Sequence, residues 1–122
     1  MGYDFEPLSH KIIEVAISVH RELGPGFIES VYHRAMEVAL RNAGLFFETE
    51  KEIRICFRGV DVGSHRLDLI VERQFIVELK AVKAFEDIFF AKLKSYLKAA
   101  GLYVGLLMNF NAPSLAVKRV VV

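Results

Sequence analysis

The stretch from His65 to Val82, HRLDLIVERQFIVELKAV, constrains the fold of this chain more than any other part of it. Apolar residues alternate with polar ones as far as Val71, and a second apolar run begins at Phe75. Both patterns are typical of short β-strands. Because the polar residues 72–74 separate the two runs, the sequence predicts two strands joined by a tight connection.

Three charged residues, Asp68, Glu78 and Lys80, lie inside these apolar strands. Side chains two positions apart in a strand share a face, so Glu78 and Lys80 point to the same side. Asp68 can meet them there if the two strands are neighbours. An ionised group that is buried without a partner costs several kcal/mol, so the three charges need an explanation.

Two explanations of these charges are consistent with the strand pattern. In the first, Lys80 forms a structural ion pair with Glu78 or Asp68 at the rim of the sheet, which is the common situation. In the second, the two carboxylates are the hard oxygen ligands of Mg²⁺ or Mn²⁺, and the lysine beside them acts on a water molecule.

The spacing of the three charges adds to the second explanation. Asp68 is followed after nine residues by Glu78-Leu79-Lys80. This arrangement resembles the D-x(9)-E-x-K form of the motif that holds the divalent metal in the PD-(D/E)xK nuclease superfamily.

An earlier block of the chain resembles one family within that superfamily. Gly26-x-x-Glu29-x-x-Tyr32 is similar to the signature of the GxxExxY family. The family's other blocks are matched in the same order by residues 66–68, 77–81 and 105–110. The resemblance therefore covers nearly the whole chain, from about residue 8 to residue 119.

The resemblance implies a role for each charged residue. Asp68, Glu78 and the main-chain carbonyl of Leu79 would bind the metal, and Glu29 would bind it directly or through water. Lys80 would orient or activate the attacking water. Neighbouring carboxylates favour the charged form of a lysine, so we assign Lys80 the stabilisation of developing negative charge rather than the role of a base.

Glu29 and Tyr32 each have a second interpretation. Glu29 lies in the first turn of a predicted helix, where the helix dipole favours any carboxylate. Tyr32 is three residues further on and shares a face with Glu29. Its hydroxyl either holds the Glu29 carboxylate by a hydrogen bond or packs with its ring in the core.

The helix after the E-x-K strand departs from the family pattern. This helix commonly carries a His near its start and a Gln before a Tyr. The matching positions here are Phe89 and Lys92, while Tyr96 is retained. The resemblance implies that Lys92 takes the place of the Gln near the reacting phosphate, and the missing His puts full catalytic competence in question.

Composition limits the remaining possibilities. The chain has 122 residues and a net charge of +1, which predicts one domain over residues 1–122 without a global basic field. Nucleic-acid binding would then need a local patch; Arg66 is our candidate for a phosphate contact, whereas Arg54 and Arg58 are more typical of a solvated face. The single cysteine, Cys56, excludes an intramolecular disulfide.

No part of the sequence indicates a membrane or secretory protein. No apolar run approaches ~18 residues, so we expect no membrane span. Acidic residues occur within the first six positions, and nothing there resembles a signal peptide. A cytoplasmic location is the resulting expectation.

The remaining elements follow from periodicity. Helices are predicted from Leu8 to Leu23, over residues 27–43 and over residues 84–100. Further strands are predicted at 46–50, 53–58, 103–110 and 117–122, with a turn at 59–64 and a loop containing Asn109. The apolar residues assigned to the buried side of the second helix are Val31, Ala35, Val38, Ala39 and Leu40.

The sequence thus predicts an α/β fold with a restriction-endonuclease-like core, in which helices flank a mixed central sheet of about four or five strands. The expected function is Mg²⁺- or Mn²⁺-dependent hydrolysis of phosphodiester bonds in nucleic acid, in DNA rather than RNA, by an enzyme that pairs as a homodimer on a duplex. The alternative is a catalytically degenerate nuclease fold that binds nucleic acid or a protein. A structural ion-pair cluster in a subunit of a larger assembly is a third reading, which a large exposed apolar patch would indicate.

Overall fold

The computed structural model describes residues 6–122, which form three helices and one five-stranded sheet. Residues 1–5, part of the segment in which we expect no signal peptide, lie outside the described residues. The elements in chain order are α1 (Glu6–Leu23), α2 (Glu29–Asn42), β1 (Phe47–Phe57), β2 (Val60–Val71), β3 (Phe75–Lys80), α3 (Asp87–Ala100), β4 (Val104–Asn109) and β5 (Ala116–Val121).

The strands follow one another across the sheet in the order β1-β2-β3-β4-β5. Strands β3 and β4 are parallel and are connected through α3, and every other neighbouring pair is antiparallel. The predicted α/β, restriction-endonuclease-like fold with a mixed sheet flanked by helices is therefore confirmed.

Helices cover both faces of the sheet and bury two apolar clusters. Helices α1 and α2 cover one face and bury residues such as Ile12, Val19 and Met36 in the larger cluster. Helix α3 covers the other face with Leu93 and Leu97. Coverage on both sides explains why every residue of β4 is buried, as expected for a near-continuous apolar strand inside a sheet.

The buried side of α2 differs from the prediction. Tyr32, Met36 and Leu40 are fully buried, whereas Val38 is 55% exposed and Val31 is only partly buried. Positions four residues apart form one stripe along a helix, and the stripe that faces the sheet is the one that begins at Tyr32. The predicted buried side left out Tyr32 and Met36, which lie on the stripe that the structure buries.

The connection between β1 and β2 is shorter than the predicted turn at 59–64. Only Arg58 and Gly59 separate the strands, with φ angles of 51° and 79°. Positive φ at both central residues is the geometry that a two-residue hairpin requires. The two strands predicted at 46–50 and 53–58 are one continuous strand, because β2 starts at Val60 and pairs along nearly the full length of β1.

The side chains of β2 do not alternate regularly. Leu69 and Val71 pack in the cluster covered by α1 and α2, but Leu67 packs in the cluster covered by α3. The change of face occurs at Asp68, and the pairing of β1 with β2 skips the rung that would join Asp68 to Glu50. Glu50 has a φ of 51°, which is uncommon for a residue with a side chain. The strand therefore contributes to both cores.

In residues 6–122, no helix is both long and apolar enough to cross a membrane.

Candidate active site

Strands β2 and β3 separate where the predicted carboxylates lie. Their last paired residues are Leu69 and Val77. Beyond that rung the backbone N–H of Asp68 donates to Oε2 of Glu78 at 2.9 Å, and the backbone N–H of Leu79 donates to Oδ2 of Asp68 at 2.9 Å. The two side chains thus take over hydrogen bonds that the main chains would otherwise make with each other.

Burial raises the pKa values of both carboxyls, and the charge of Asp68 adds to the rise at Glu78. Glu78 is 8% exposed, and burial, followed by the charge of Asp68, raises its pKa from 4.5 to about 8. Burial also raises the pKa of Asp68, although the Leu79 N–H opposes the shift. Carboxylates placed this closely favour a proton or a cation between them.

Glu29 reaches the same region from the first turn of α2. Desolvation and then the charge of Asp68 raise the pKa of its carboxyl, while the charge of Lys80 and the Ala81 backbone N–H lower it. Glu29 is exposed. Its carboxylate therefore interacts with the charges of Asp68 and Lys80 while much of its side chain stays in contact with solvent. The structure therefore brings Glu29 together with Asp68, Glu78 and Lys80.

Tyr32 positions the start of α2 and does not hold the Glu29 carboxylate. Its hydroxyl donates to the carbonyl of Gly24 at 2.6 Å and accepts from the backbone N–H of Phe27 at 3.2 Å. Its ring is fully buried and stacks on Phe110 with centroids 4.7 Å apart. Of the two interpretations of this residue, packing in the core is the one that the structure shows.

Lys80 does not form the contact ion pair that the first explanation required. Its Nζ lies 4.4 Å from the centroid of the Phe89 ring, a cation–π arrangement. Within residues 6–122, no ion pair of 4.0 Å or less joins Lys80 to Asp68 or Glu78. Its charge still lowers the pKa values of both carboxyls, so the amine lies within their electrostatic reach.

A cavity of about 90 Å³ lies between these strands and α3. Lys92 and Tyr96 line it from the helix, one turn apart, and Glu78 and Lys80 line it from β3. The two predicted supporting residues of α3 thus lie beside the strand residues of the site.

His65 also lines this cavity, and sequence reasoning missed it. Its ring stacks on Tyr96 with centroids 3.7 Å apart, and its Nε2 is 4.0 Å from Oε1 of Glu78. Burial lowers the pKa of the imidazole, and the charge of Asp68 opposes that shift. The only available signal was its place on the same predicted strand as Asp68, three residues earlier.

A second histidine was missed on α2. Nε2 of His33 lies 2.7 Å from Oγ1 of Thr49 and 3.1 Å from Oε2 of Glu37. The charge of His33 lowers the pKa values of the Glu29 and Asp68 carboxyls, opposing the effect of their burial. This side chain therefore lies at the α2 side of the carboxylate group.

The arginines do not converge on the carboxylates. Arg66 is exposed and pairs in register with Glu52, on the opposite face of β2 from His65. Arg54 lies 3.9 Å from Asp61, and Arg58 lies 4.9 Å from the centroid of the Phe57 ring. These contacts place the three cations on the β1–β2 hairpin, away from the cavity.

Asn109 fixes the chain that leaves β3, where the sequence predicted a loop residue. It is the last residue of β4 and is 4% exposed. Its Oδ1 accepts from the backbone N–H groups of Val82 and Asn111 at 3.1 Å each, and its Nδ2 donates to the Val82 carbonyl at 2.9 Å. These bonds hold the segment that follows Lys80 against β4.

The donor atoms of the site match a hard divalent cation. Carboxylate and carbonyl oxygens are the ligands that Mg²⁺ and Mn²⁺ prefer, and Asp68 and Glu78 bring two carboxyl groups together from neighbouring strands. Across the part of the chain that the structure describes, no three His, Cys, Asp or Glu side chains are close enough to form a complete metal site.

Comparisons with known proteins agree with the fold. A family model described as the PD-(D/E)XK nuclease superfamily matches residues 6–120. The crystal structure of SSO0001 aligns with a TM-score of 0.56 and 20% sequence identity, over 75% of this chain and 48% of that one. At this identity the likeness concerns the fold alone, and this chain spans about half the length of that protein. A comparison with curated proteins gave no match.

Proposed function

Since the chain belongs to the PD-(D/E)XK nuclease superfamily, we propose that it is a Mg²⁺- or Mn²⁺-dependent nuclease that hydrolyses phosphodiester bonds, in DNA rather than RNA. The Gly26, Glu29 and Tyr32 signature supports its assignment to the GxxExxY family within that superfamily. The proposal treats residues 1–122 as one catalytic domain that acts in the cytoplasm.

The observation that carries the proposal is the reciprocal hydrogen bonding of Asp68 and Glu78 at the point where β2 and β3 separate. It joins the buried carboxylate of Glu78 to the partly buried one of Asp68, while the Lys80 amine lies over an aromatic ring. Asp68, Glu78 and the Leu79 carbonyl would hold the metal, with Glu29 binding directly or through water. When bound, the cation supplies Lewis acidity toward the phosphoryl oxygen and the attacking water.

The lysines supply positive charge on the substrate side of the carboxylates. Lys80 would orient the attacking water and stabilise the charge that develops on the phosphate. Lys92 lines the same cavity and would contact the reacting phosphate, and Tyr96, stacked on His65, closes the cavity wall. Arg66 would contact a phosphate further along the nucleic acid.

Cleavage of plasmid and single-stranded DNA in the presence of Mg²⁺ or Mn²⁺ tests this assignment. We expect Asp68→Ala and Lys80→Ala each to lower the cleavage rate on the order of 10²-fold or more, as is usual when a group that acts on transition-state charge is removed. Lys118→Ala, an exposed lysine on β5, is the matched control and should retain activity. Residual activity in both site variants equal to that of the control would refute the assignment.

A catalytically degenerate module that binds nucleic acid or a protein is the second candidate. Phe89 stands where the family commonly has a His, Lys92 stands where it has a Gln, and the net charge is only +1. Calorimetric titration with Mg²⁺ and Mn²⁺ separates the two candidates. Binding that is lost in Asp68→Asn favours the enzyme, and no binding with or without DNA favours the module.

A further inference from the structure

The β1–β2 hairpin exposes an apolar strip. Its pairing continues to Phe57 and Val60, far beyond the last residues of β2 that pair with β3. Four large apolar residues near the tip are exposed: Ile55 (38%), Phe57 (58%), Val60 (62%) and Val62 (57%). Single exposed apolar residues are ordinary, but a contiguous group marks an interaction surface.

We propose that two copies of this chain associate through the outer edges of their β1 strands, antiparallel, with the two-fold axis at Ile53. Strand β1 is at the end of the sheet, so among residues 6–122 no strand pairs with its outer edge. An unpaired edge is a template for a strand from another chain. The proposal does not depend on the nuclease assignment.

The charges of β1 exclude several registers and favour one. Backbone N–H groups of a strand point alternately to its two edges, so in a symmetric antiparallel pair one residue must lie opposite its own copy. An axis at Lys51, Glu52 or Arg54 would place like charges face to face. An axis at Ile53 instead places Glu52 of each copy opposite Arg54 of the other, which gives two opposite-charge pairs.

The same register covers the apolar strip. Ile53 packs against the cluster under α3, and Ile55 and Phe57 follow it at two-residue spacing on that face. Phe57 of each copy would lie opposite Thr49 of the other copy. Next to Thr49 along the strand, Lys51 lines an open cavity of about 370 Å³ together with Phe46, Ile53, Ile70 and Leu102, and the Phe57 ring would lie near its mouth.

Other occupants of this edge fit less well. Strand β1 carries three acidic residues and two basic ones (FETEKEIRICF), a balance that does not attract a polyanion such as nucleic acid. The opposite edge of the sheet, β5, carries Lys118 and Arg119 without an acidic residue to complement them in a second copy. A second copy of β1 is the partner whose charges match.

Sedimentation equilibrium of the full chain tests the association, and cleavage plays no part in the readout. We expect a concentration-dependent dimer that Glu52→Arg and Arg54→Glu each weaken at least tenfold. The double variant, which exchanges the two charges, should restore it. Lys118→Glu on β5 is the matched control and should leave the dimer unchanged, and thermal unfolding checks that each variant is folded.

Crosslinking tests the register itself. In a Cys56→Ser background, Ile53→Cys should give a covalent dimer with a short thiol-specific crosslinker, because the axis places residue 53 opposite itself. The native Cys56 should not form this crosslink. The Cys56 residues of the two copies would be six positions apart along the strands, or about 20 Å at 3.3 Å per residue. A monomer at all concentrations, or a dimer that the charge reversals leave intact, would overturn the proposal. Nucleic-acid binding by a monomer that is lost in Arg54→Glu would overturn it in favour of a nucleic-acid surface.

Discussion

Asp68 and Glu78 lie on neighbouring strands, and the carboxylate of each accepts a backbone N–H from the other's strand, at 2.9 Å in both cases. The N–H donors belong to Asp68 itself and to Leu79, so the backbone fixes the orientation of both side chains. The two carboxylates are therefore part of the structure of the sheet as well as candidates for the chemistry of the site.

Removing the Asp68 side chain should cost stability. In Asp68→Ala the Leu79 N–H loses its acceptor in a buried region, and we expect the free energy of unfolding to fall by about 1–3 kcal/mol. Asp68→Asn keeps an oxygen acceptor and removes the repulsion with Glu78, so it should retain the stability of the native protein. Urea denaturation measures both, and equal losses in the two variants would show that this hydrogen bond does not stabilise the fold.

Without metal, the protein should lose stability as pH rises toward 8. The pKa of Glu78 is raised from 4.5 to about 8 in the folded state, so between these values the folded protein keeps a proton that the unfolded chain has lost. The raised pKa values of Asp68 and Glu29 act with the same sign. The lowered pKa of His65 acts in the opposite sense below its ordinary value of 6.5, so the decline should be clearest between pH 6.5 and 8.

Glu78→Gln isolates the contribution of this one carboxyl. The variant cannot ionise, so its melting temperature in the presence of a chelator should depend less on pH between 6.5 and 8 than that of the native protein. Differential scanning calorimetry at several pH values measures the slope. An unchanged slope would mean that the Glu78 carboxyl is ionised in the folded protein well below pH 8.

Tyr32→Phe should loosen the turn before α2. The change keeps the stacking on Phe110 but removes the bonds of the hydroxyl to Gly24 and Phe27, so we expect a loss of about 1 kcal/mol. Amide hydrogen exchange should rise at residue 24 and over residues 26–28. Because Glu29 follows this turn directly, calorimetry should also show weaker Mn²⁺ binding.

Ile28→Ala is the control for Tyr32→Phe. Ile28 is 70% exposed in the same segment, so its truncation should change neither stability nor exchange. Equal effects of the two changes would show that the hydroxyl does not hold the turn.

Asn109→Leu should be among the more destabilising single changes near the site. The buried amide of Asn109 makes three hydrogen bonds, and its replacement leaves both backbone groups of Val82 without these partners. We expect a loss of about 1–3 kcal/mol in denaturant unfolding. Asn111→Ala is the control, because Asn111 is exposed and its side chain donates only one long bond, 3.5 Å, to the Val82 carbonyl. A comparable loss in both variants would contradict the role of the Asn109 amide.

The strand and helix framework of the site could be predicted because periodicity and neighbour relationships determine it. Two strands joined by a short turn must lie side by side, and this alone brings Asp68 close to Glu78. The apolar stripe of α1 and the continuous apolar run of β4 were equally clear, since burial on one or two faces leaves a direct pattern in the sequence.

The missed features depend on contacts between distant parts of the chain. Nothing near His65 in the sequence indicates the ring of Tyr96 against which it stacks. From the sequence, the Tyr32 hydroxyl could bond to the Glu29 carboxylate or lie in the core. The path of the preceding turn, which the sequence does not reveal, brings the Gly24 carbonyl to this hydroxyl. Residues 60–64 resemble a turn by composition but form a strand, because pairing with β1 outweighs local preference.

Because β2 changes face at Asp68, the hairpin and the rest of the sheet should differ in how they tolerate insertions. Between Leu67 and the tip of the hairpin, β2 pairs with β1 and not with β3. Adding two residues to each strand there would lengthen the hairpin by about 7 Å, while every side chain keeps its face. Between Leu69 and Val71 the same insertion would displace residues that pair with β3. Length variation in proteins built on this plan is therefore expected in the hairpin, with the spacing from Asp68 to Glu78 held constant.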